Sequence, residues 1–96
     1  MNSRHFYQYQ EYGEVSRKFL ENGRIRYYGF IEPPRIKGEM IGRRIVREWD
    51  PKIGLKRTWH ETIDQNGVIR SVRPQRDDGT KIHYVFDKNG NFEGIR

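Results

Sequence analysis

The sequence contains no cysteine, which excludes disulfide staples, thiolate metal sites and a cysteine nucleophile. It leaves the compartment open, since such a chain folds in either redox environment. No apolar run approaches the roughly 20 residues needed to span a bilayer, so no membrane segment is expected. Met1 leads into Asn2-Ser3-Arg4-His5 with no apolar stretch behind it, so no signal peptide is visible, and any export address would lie on a larger parent chain. There is no glycine-rich phosphate loop, no His-Glu-x-x-His and no EF-hand pattern. Acidic residues are scattered and not clustered for Mg²⁺, so neither a metal nor a cofactor is expected. Ser3, Ser16 and Ser71 lack the elbow motif of an acyl-transfer nucleophile.

What is present is charge and aromatic rings. The 96 residues are enough for one domain with a thin core. Hydrophobic and charged residues each make up 33% of the chain, but aromatics make up 14%, and each buried ring removes roughly 150–250 Å² from water. A folded domain follows. Lys and Arg total 19 against 13 Asp and Glu, a net charge of +6. Arginine outnumbers lysine, and its planar fork suits bidentate phosphate contact and stacking on bases. A polyanionic partner, nucleic acid first, is the leading expectation, against the plainer reading of a merely soluble basic surface.

The chain divides near residue 38, into 1–37 and 38–96 of a single domain. Residues 9–20 read as a short helix, with Tyr12, Val15 and Phe19 as its apolar stripe and Gly23 as a left-handed stop after Glu21-Asn22. Residues 24–31 form a β-like run ended by Pro33-Pro34, and 35–41 read as a linker or one helical turn. Strands are expected over 43–49, 56–63, 68–73, 81–86 and 91–95. The turns between them include Asp50-Pro51-Lys52-Ile53-Gly54 and two Asp-x-Asn-Gly sequences, at 64–67 and 87–90. The fold class expected is α+β: an antiparallel meander of four to five strands with a short N-terminal helix packed on one face. A three-residue loop ending at Gly67 would pair Asp64 with Val68, Ile63 with Ile69, Thr62 with Arg70, Glu61 with Ser71, His60 with Val72 and Trp59 with Arg73. In the second hairpin Phe86 would face Phe92.

Several segments together resemble a known group. They are Asn22-Gly23-Arg24-Ile25-Arg26-Tyr27-Tyr28-Gly29, Gly38-Glu39-Met40-Ile41-Gly42-Arg43-Arg44, Arg47-Glu48-Trp49-Asp50-Pro51, Thr58-Trp59-His60-Glu61-Thr62, Val72-Arg73-Pro74, His83-Tyr84 and Phe86-Asp87-Lys88-Asn89-Gly90-Asn91-Phe92. Their order and spacing resemble the C-terminal toxin domains of bacterial polymorphic toxins, the contact-dependent inhibition and Rhs-type effectors. The resemblance implies a module delivered as part of a larger effector into the cytoplasm of a competing cell and neutralised in the producer by a cognate immunity protein, whose acidic surface would suit a +6 domain. It further implies a metal-independent ribonuclease with the compact fold of the barnase, EndoU, colicin and RelE group, with tRNA as the first substrate to test.

Such cleavage needs a base for the 2′-hydroxyl proton, an acid for the departing 5′-oxygen and cations on the phosphate, and it leaves a 2′,3′-cyclic phosphate. The catalytic candidates are His60, Glu61 and His83 for proton transfer, with Arg70, Arg73 and Thr62 on the phosphate. His60 and Glu61, adjacent on one strand, point to opposite faces. Arg43, Arg44, Arg47 and Arg57, with Arg76, would bind substrate, while Trp59, Tyr84 or Tyr28 would stack a base. Taken singly, a strand histidine is more often a half-buried side chain, an arginine a solvated charge and an aromatic plain core. Alternatives are a non-catalytic nucleic-acid-binding module, or a toxin of other chemistry such as a DNase or an ADP-ribosyl or nucleotidyl transferase.

Overall fold

The computed structural model describes residues 16–96. Its strands are β1 (Ser16–Phe19), β2 (Ile25–Tyr28), β3 (Met40–Asp50), β4 (Leu55–Asp64), β5 (Ile69–Pro74), β6 (Tyr84–Phe86) and β7 (Phe92–Ile95). All lie in one sheet in chain order, each antiparallel to its neighbours. The two Asp-x-Asn-Gly turns work by side-chain capture: Asp64 Oδ1 accepts from the backbone N–H of Asn66 and of Val68, both at 2.9 Å. Asp87 Oδ1 does the same for Asn89 and Asn91. Each carboxylate thereby replaces backbone partners inside the turn, which is why the motif reads as a hairpin from sequence.

The α+β expectation is overturned. The described residues form an all-β, seven-stranded sheet without a helix. Of the helix expected over 9–20, residues 9–15 lie outside the described residues, and 16–19 are β1, paired with β2 from Ser16↔Tyr28 to Phe19↔Ile25. Phe19, the end of the supposed apolar stripe, is exposed. Gly23 takes a φ of 85°, but it does so in a β1–β2 hairpin where its N–H donates to the Leu20 carbonyl. A helix C-terminus and a tight hairpin make the same demand for positive φ, so the glycine could not distinguish them. The expected linker over 35–41 is shorter than read, because β3 already starts at Met40. The five runs expected beyond residue 38 are β3 to β7, and β1 and β2 extend the same sheet.

Register separates two faces of β4. Trp59, Glu61 and Ile63 share one, with Arg44, Val46 and Glu48 on β3; Thr58, His60 and Thr62 share the other, with Arg43, Ile45 and Arg47. On the first face Val46 is wholly buried and Glu48, Glu61 and Ile63 are buried, so it is called here the closed face. The other, carrying exposed Arg43 and half-buried His60, is the open face. Ile63 meets Ile69 and Phe86 meets Phe92, as expected. Between those positions and the rest of β5, however, a bulge at Thr62/Ile63 shifts the pairing by one. Thr62 faces Ser71, Glu61 faces Val72, His60 faces Arg73 and Trp59 faces Pro74. The extra residue on β5 is Arg70, and this correction is what sets Arg73 beside His60.

Candidate active site

The closed face consumes its own charges. Arg44 donates to Glu61 Oε1 through Nε and Nη2, at 3.1 and 3.0 Å, and Trp59 Nε1 donates to Glu61 Oε2 at 3.0 Å. One strand-pair away, Glu48 accepts from Arg24 Nη1 at 2.7 Å and from Arg26 Nε at 2.9 Å. Arg26 also lies over the Trp59 ring, 5.4 Å from its centroid, and Arg44 over Tyr28 at 4.4 Å. With both oxygens occupied and the side chain buried, Glu61 is held as an ion-pair anchor. Trp59, Tyr28 and Arg44 are spent with it.

The open face carries a concavity of about 280 Å³ lined by Phe30, Glu32, Arg43, Ile45, His60 and Arg73, with Arg44 also reaching its wall. Three elements build it. β4 supplies His60, and β3 sets Ile45 opposite it with Arg43 one step along the face. β5 sets Arg73 on its other flank. Glu32 arrives from the β2–β3 connection through a two-way backbone bridge, each residue's N–H donating to the other's carbonyl, at 2.7 Å from Glu32 and 3.0 Å from Arg43. Gly42 permits that approach: its φ is 151°, and a side chain there would run into the Glu32 carbonyl. Glu32 Oε2 then lies 3.6 Å from Arg43 Nε, both groups largely in solvent. Among the described residues, no carboxylate or other hydrogen-bonding partner holds the Arg73 guanidinium.

His60 is half-buried, and burial first, then the charges of Arg73, Arg43 and Arg47, hold its pKa below the usual histidine value of 6.5, with Glu32 opposing. At neutral pH the imidazole is therefore uncharged, a proton acceptor within a ring of cations.

Of the other residues nominated from sequence, Thr62 lines the next depression along the same face with Arg35, Met40 and Arg43. Arg47 and Thr58 line another on the opposite side of His60 with Lys56 and Gln75; Arg57 borders it and a further depression with Arg76. Arg70 is placed elsewhere: its Nε donates to the Phe86 carbonyl at 2.9 Å, and its Nη1 to Glu39 and Asp64. His83 is half-buried, exchanges backbone hydrogen bonds with Arg96 and does not line the His60 cavity. Tyr84 packs 6.5 Å from Phe92, centroid to centroid. The residues that sequence reasoning missed are Phe30 and Glu32. Phe30 is 65% exposed at the mouth of the cavity. Their one signal was position: an aromatic and a carboxylate just before Pro33-Pro34, in a segment that leaves regular structure early.

The described residues thus form a seven-stranded antiparallel meander with an arginine-flanked histidine on its open face. No protein-family model matches the chain, and no curated protein or solved structure matches it significantly. Among the described residues no group of three or more His, Asp or Glu is placed to hold a metal ion, and no helix is long and apolar enough to cross a membrane.

Proposed function

We propose that this domain is a metal-independent ribonuclease toxin, cutting RNA, with tRNA the first candidate, in the cytoplasm of a competing bacterial cell. The observation that carries the reading is the row Ile45–His60–Arg73 with Arg43 beside it: one uncharged imidazole between two guanidinium groups at a cavity of about 280 Å³, ample for a phosphate. His60 accepts the 2′-hydroxyl proton as the 2′-oxygen attacks phosphorus. Arg43 and Arg73 hold the non-bridging oxygens as negative charge grows there. The bond from phosphorus to the 5′-oxygen breaks, that oxygen takes a proton from solvent, and the products are a 2′,3′-cyclic phosphate and a 5′-hydroxyl end. Glu61, Arg70 and Arg44 serve the fold that positions this row, and Thr62 extends the phosphate surface.

The test uses total tRNA and ribosomal RNA with purified protein in EDTA. Fragments ending in 2′,3′-cyclic phosphate are expected, and His60→Ala should slow their formation by roughly 10²–10⁴-fold. Intact RNA at micromolar protein would overturn the reading. The second reading is a non-catalytic nucleic-acid-binding module, favoured by the single imidazole in the cavity, whose one carboxylate, Glu32, lies largely in solvent beside Arg43. It predicts salt-sensitive binding without strand breaks. An acidic immunity protein covering the open face would suit the toxin reading.

A further inference from the structure

The open face repeats itself along β4. Thr58, His60 and Thr62 point the same way, and alternate strand residues lie about 6.6–6.8 Å apart. Each belongs to a cross-strand row: Arg47–Thr58, Ile45–His60–Arg73 and Arg43–Thr62–Ser71. Each row faces its own depression. The first, about 150 Å³, adds Lys56; the second holds His60; the third, about 590 Å³, adds Arg35. The second and third share Glu32 and Arg43, and Thr58 lies two residues from His60, so the three follow one line. Every row offers a hydroxyl or an imidazole beside at least one cation, and the step between rows is comparable to the phosphate step of an extended single strand. Beside the middle row stands exposed Phe30, a ring with a free face next to phosphate-binding groups. That is the pairing of cationic groove and aromatic platform by which single strands are held.

We infer that the substrate of the proposed ribonuclease is a single-stranded RNA segment lying along β4, with three consecutive phosphates on the Thr58, His60 and Thr62 rows and a base stacked on Phe30. The inference rests on the ribonuclease reading for the identity of its middle phosphate as the one cleaved, but the binding geometry stands on the register alone. A base-paired helix fits the line poorly, since its bases are already stacked on one another and offer Phe30 no face. Among the described residues Glu32 is the one carboxylate that opens onto the track without being consumed on the closed face, and it competes with phosphate for Arg43.

The experiment is fluorescence-anisotropy binding of labelled, non-cleavable 2′-O-methyl oligouridines of two, four and eight nucleotides, at several salt concentrations, to the full chain. Affinity should rise from two to four nucleotides and level off after that. Three phosphates give a slope of log affinity against log salt near about −2. Lys56→Ala and Arg35→Ala, both exposed positions outside the His60 row, should each make the slope shallower by about 0.7. Phe30→Ala should weaken binding by roughly fivefold or more, with Phe30→Trp restoring it. Glu32→Gln should tighten it. A dinucleotide that binds as well as the tetranucleotide, a 12-base-pair RNA that binds as well as the single strand, or slopes indifferent to Lys56 and Arg35 would each overturn the track. Length-dependent binding alongside intact cleavable RNA would keep the track and remove the nuclease. Cleavage of a dinucleotide as fast as a tetranucleotide would keep the nuclease and remove the track.

Discussion

The two faces of the sheet are built from the same residue types and do opposite things with them. On the closed face Arg44 with Glu61, and Arg24 and Arg26 with Glu48, pair cation to carboxylate under cover of Trp59 and Tyr28. On the open face Arg73 keeps no such partner among the described residues, Arg43 meets Glu32 only at 3.6 Å in solvent, and the aromatic, Phe30, stands exposed. A net charge of +6 is therefore not spread evenly in its consequences. Arginine on the closed face stands beside a buried apolar core that, among the described residues, only Val46 and Ile63 supply on that side, Ile25 and Tyr27 being buried on the other, and Arg73 on the open face is left available to an anion. The difference is made by one-residue alternation, so counting basic residues says that a polyanion is welcome but not where it lands.

The contrast breaks most visibly at Glu61. If the closed face is structural, Glu61→Ala strands Arg44 and the Trp59 N–H in a buried site and should cost about 3–5 kcal/mol. For a domain this size that is a fall in melting temperature of well over about 10 °C by calorimetry or circular dichroism. A Glu61→Ala protein that melts normally yet cleaves no RNA would return Glu61 to the chemistry. Gly42→Ala comes next. It should cost about 2 kcal/mol through positive φ and the collision with the Glu32 carbonyl, and it should loosen the 31–32 segment, seen as faster amide exchange at Glu32 and Arg43.

Arg73 and Arg70 sharpen the same comparison, being three residues apart and opposite in role. Arg73→Ala should lower kcat/KM by roughly 10–100-fold, the worth of one charge-assisted hydrogen bond to the transition-state phosphate, while leaving the melting temperature nearly unchanged. Arg70→Ala should do the reverse, because Arg70 ties β5 to Asp64, Glu39 and the Phe86 carbonyl. Steady-state kinetics and thermal melts on the two variants side by side check it; equal loss of rate in both would erase the distinction between the faces.

Much of this was legible in the sequence, and the failures have physical causes. The Asp-x-Asn-Gly turns, the strands between 43 and 95, and the opposition of His60 and Glu61 across the sheet all follow from local chemistry and period-two alternation. The bulge at Thr62/Ile63 does not, because it turns on which of two neighbouring pairings satisfies more backbone groups, and Arg70 gives no local sign of being the extra residue. That one slip decided which arginine flanks His60. Glu61 looked catalytic because it adjoins a histidine in the chain, but its partner Arg44 is 17 residues away and was invisible until β3 met β4. Phe30 and Glu32 were passed over because the proline pair behind them reads as a mere stop, whereas Gly42 folds that stop back onto Arg43.

The smallest effect, and the most discriminating between a working base and a bystander, is the pH response of His60. Its pKa in the folded chain lies below the ordinary histidine value through burial and the charges of Arg73, Arg43 and Arg47. A depressed pKa means the unfolded chain binds the proton more readily, so this group's contribution to stability is full above about pH 6.5 and is lost as pH falls through the folded value. The carboxylates of Asp64 and Asp87, held below their usual pKa chiefly by the N–H groups of Val68 and Asn91, lose their contribution only at lower pH, so the two windows separate. In activity the same shift means that cleavage should decline, as the base becomes protonated, at a lower pH than an ordinary histidine base would give. Occupying the cavity with inorganic phosphate neutralises Arg43 and Arg73 and should raise the His60 pKa, so phosphate binds more tightly as pH falls and takes up a proton. An NMR titration of the His60 ring with and without phosphate measures both. A ring that titrates at or above 6.5 in the free protein, or that phosphate leaves unmoved, would mean the arginines do not converge on it.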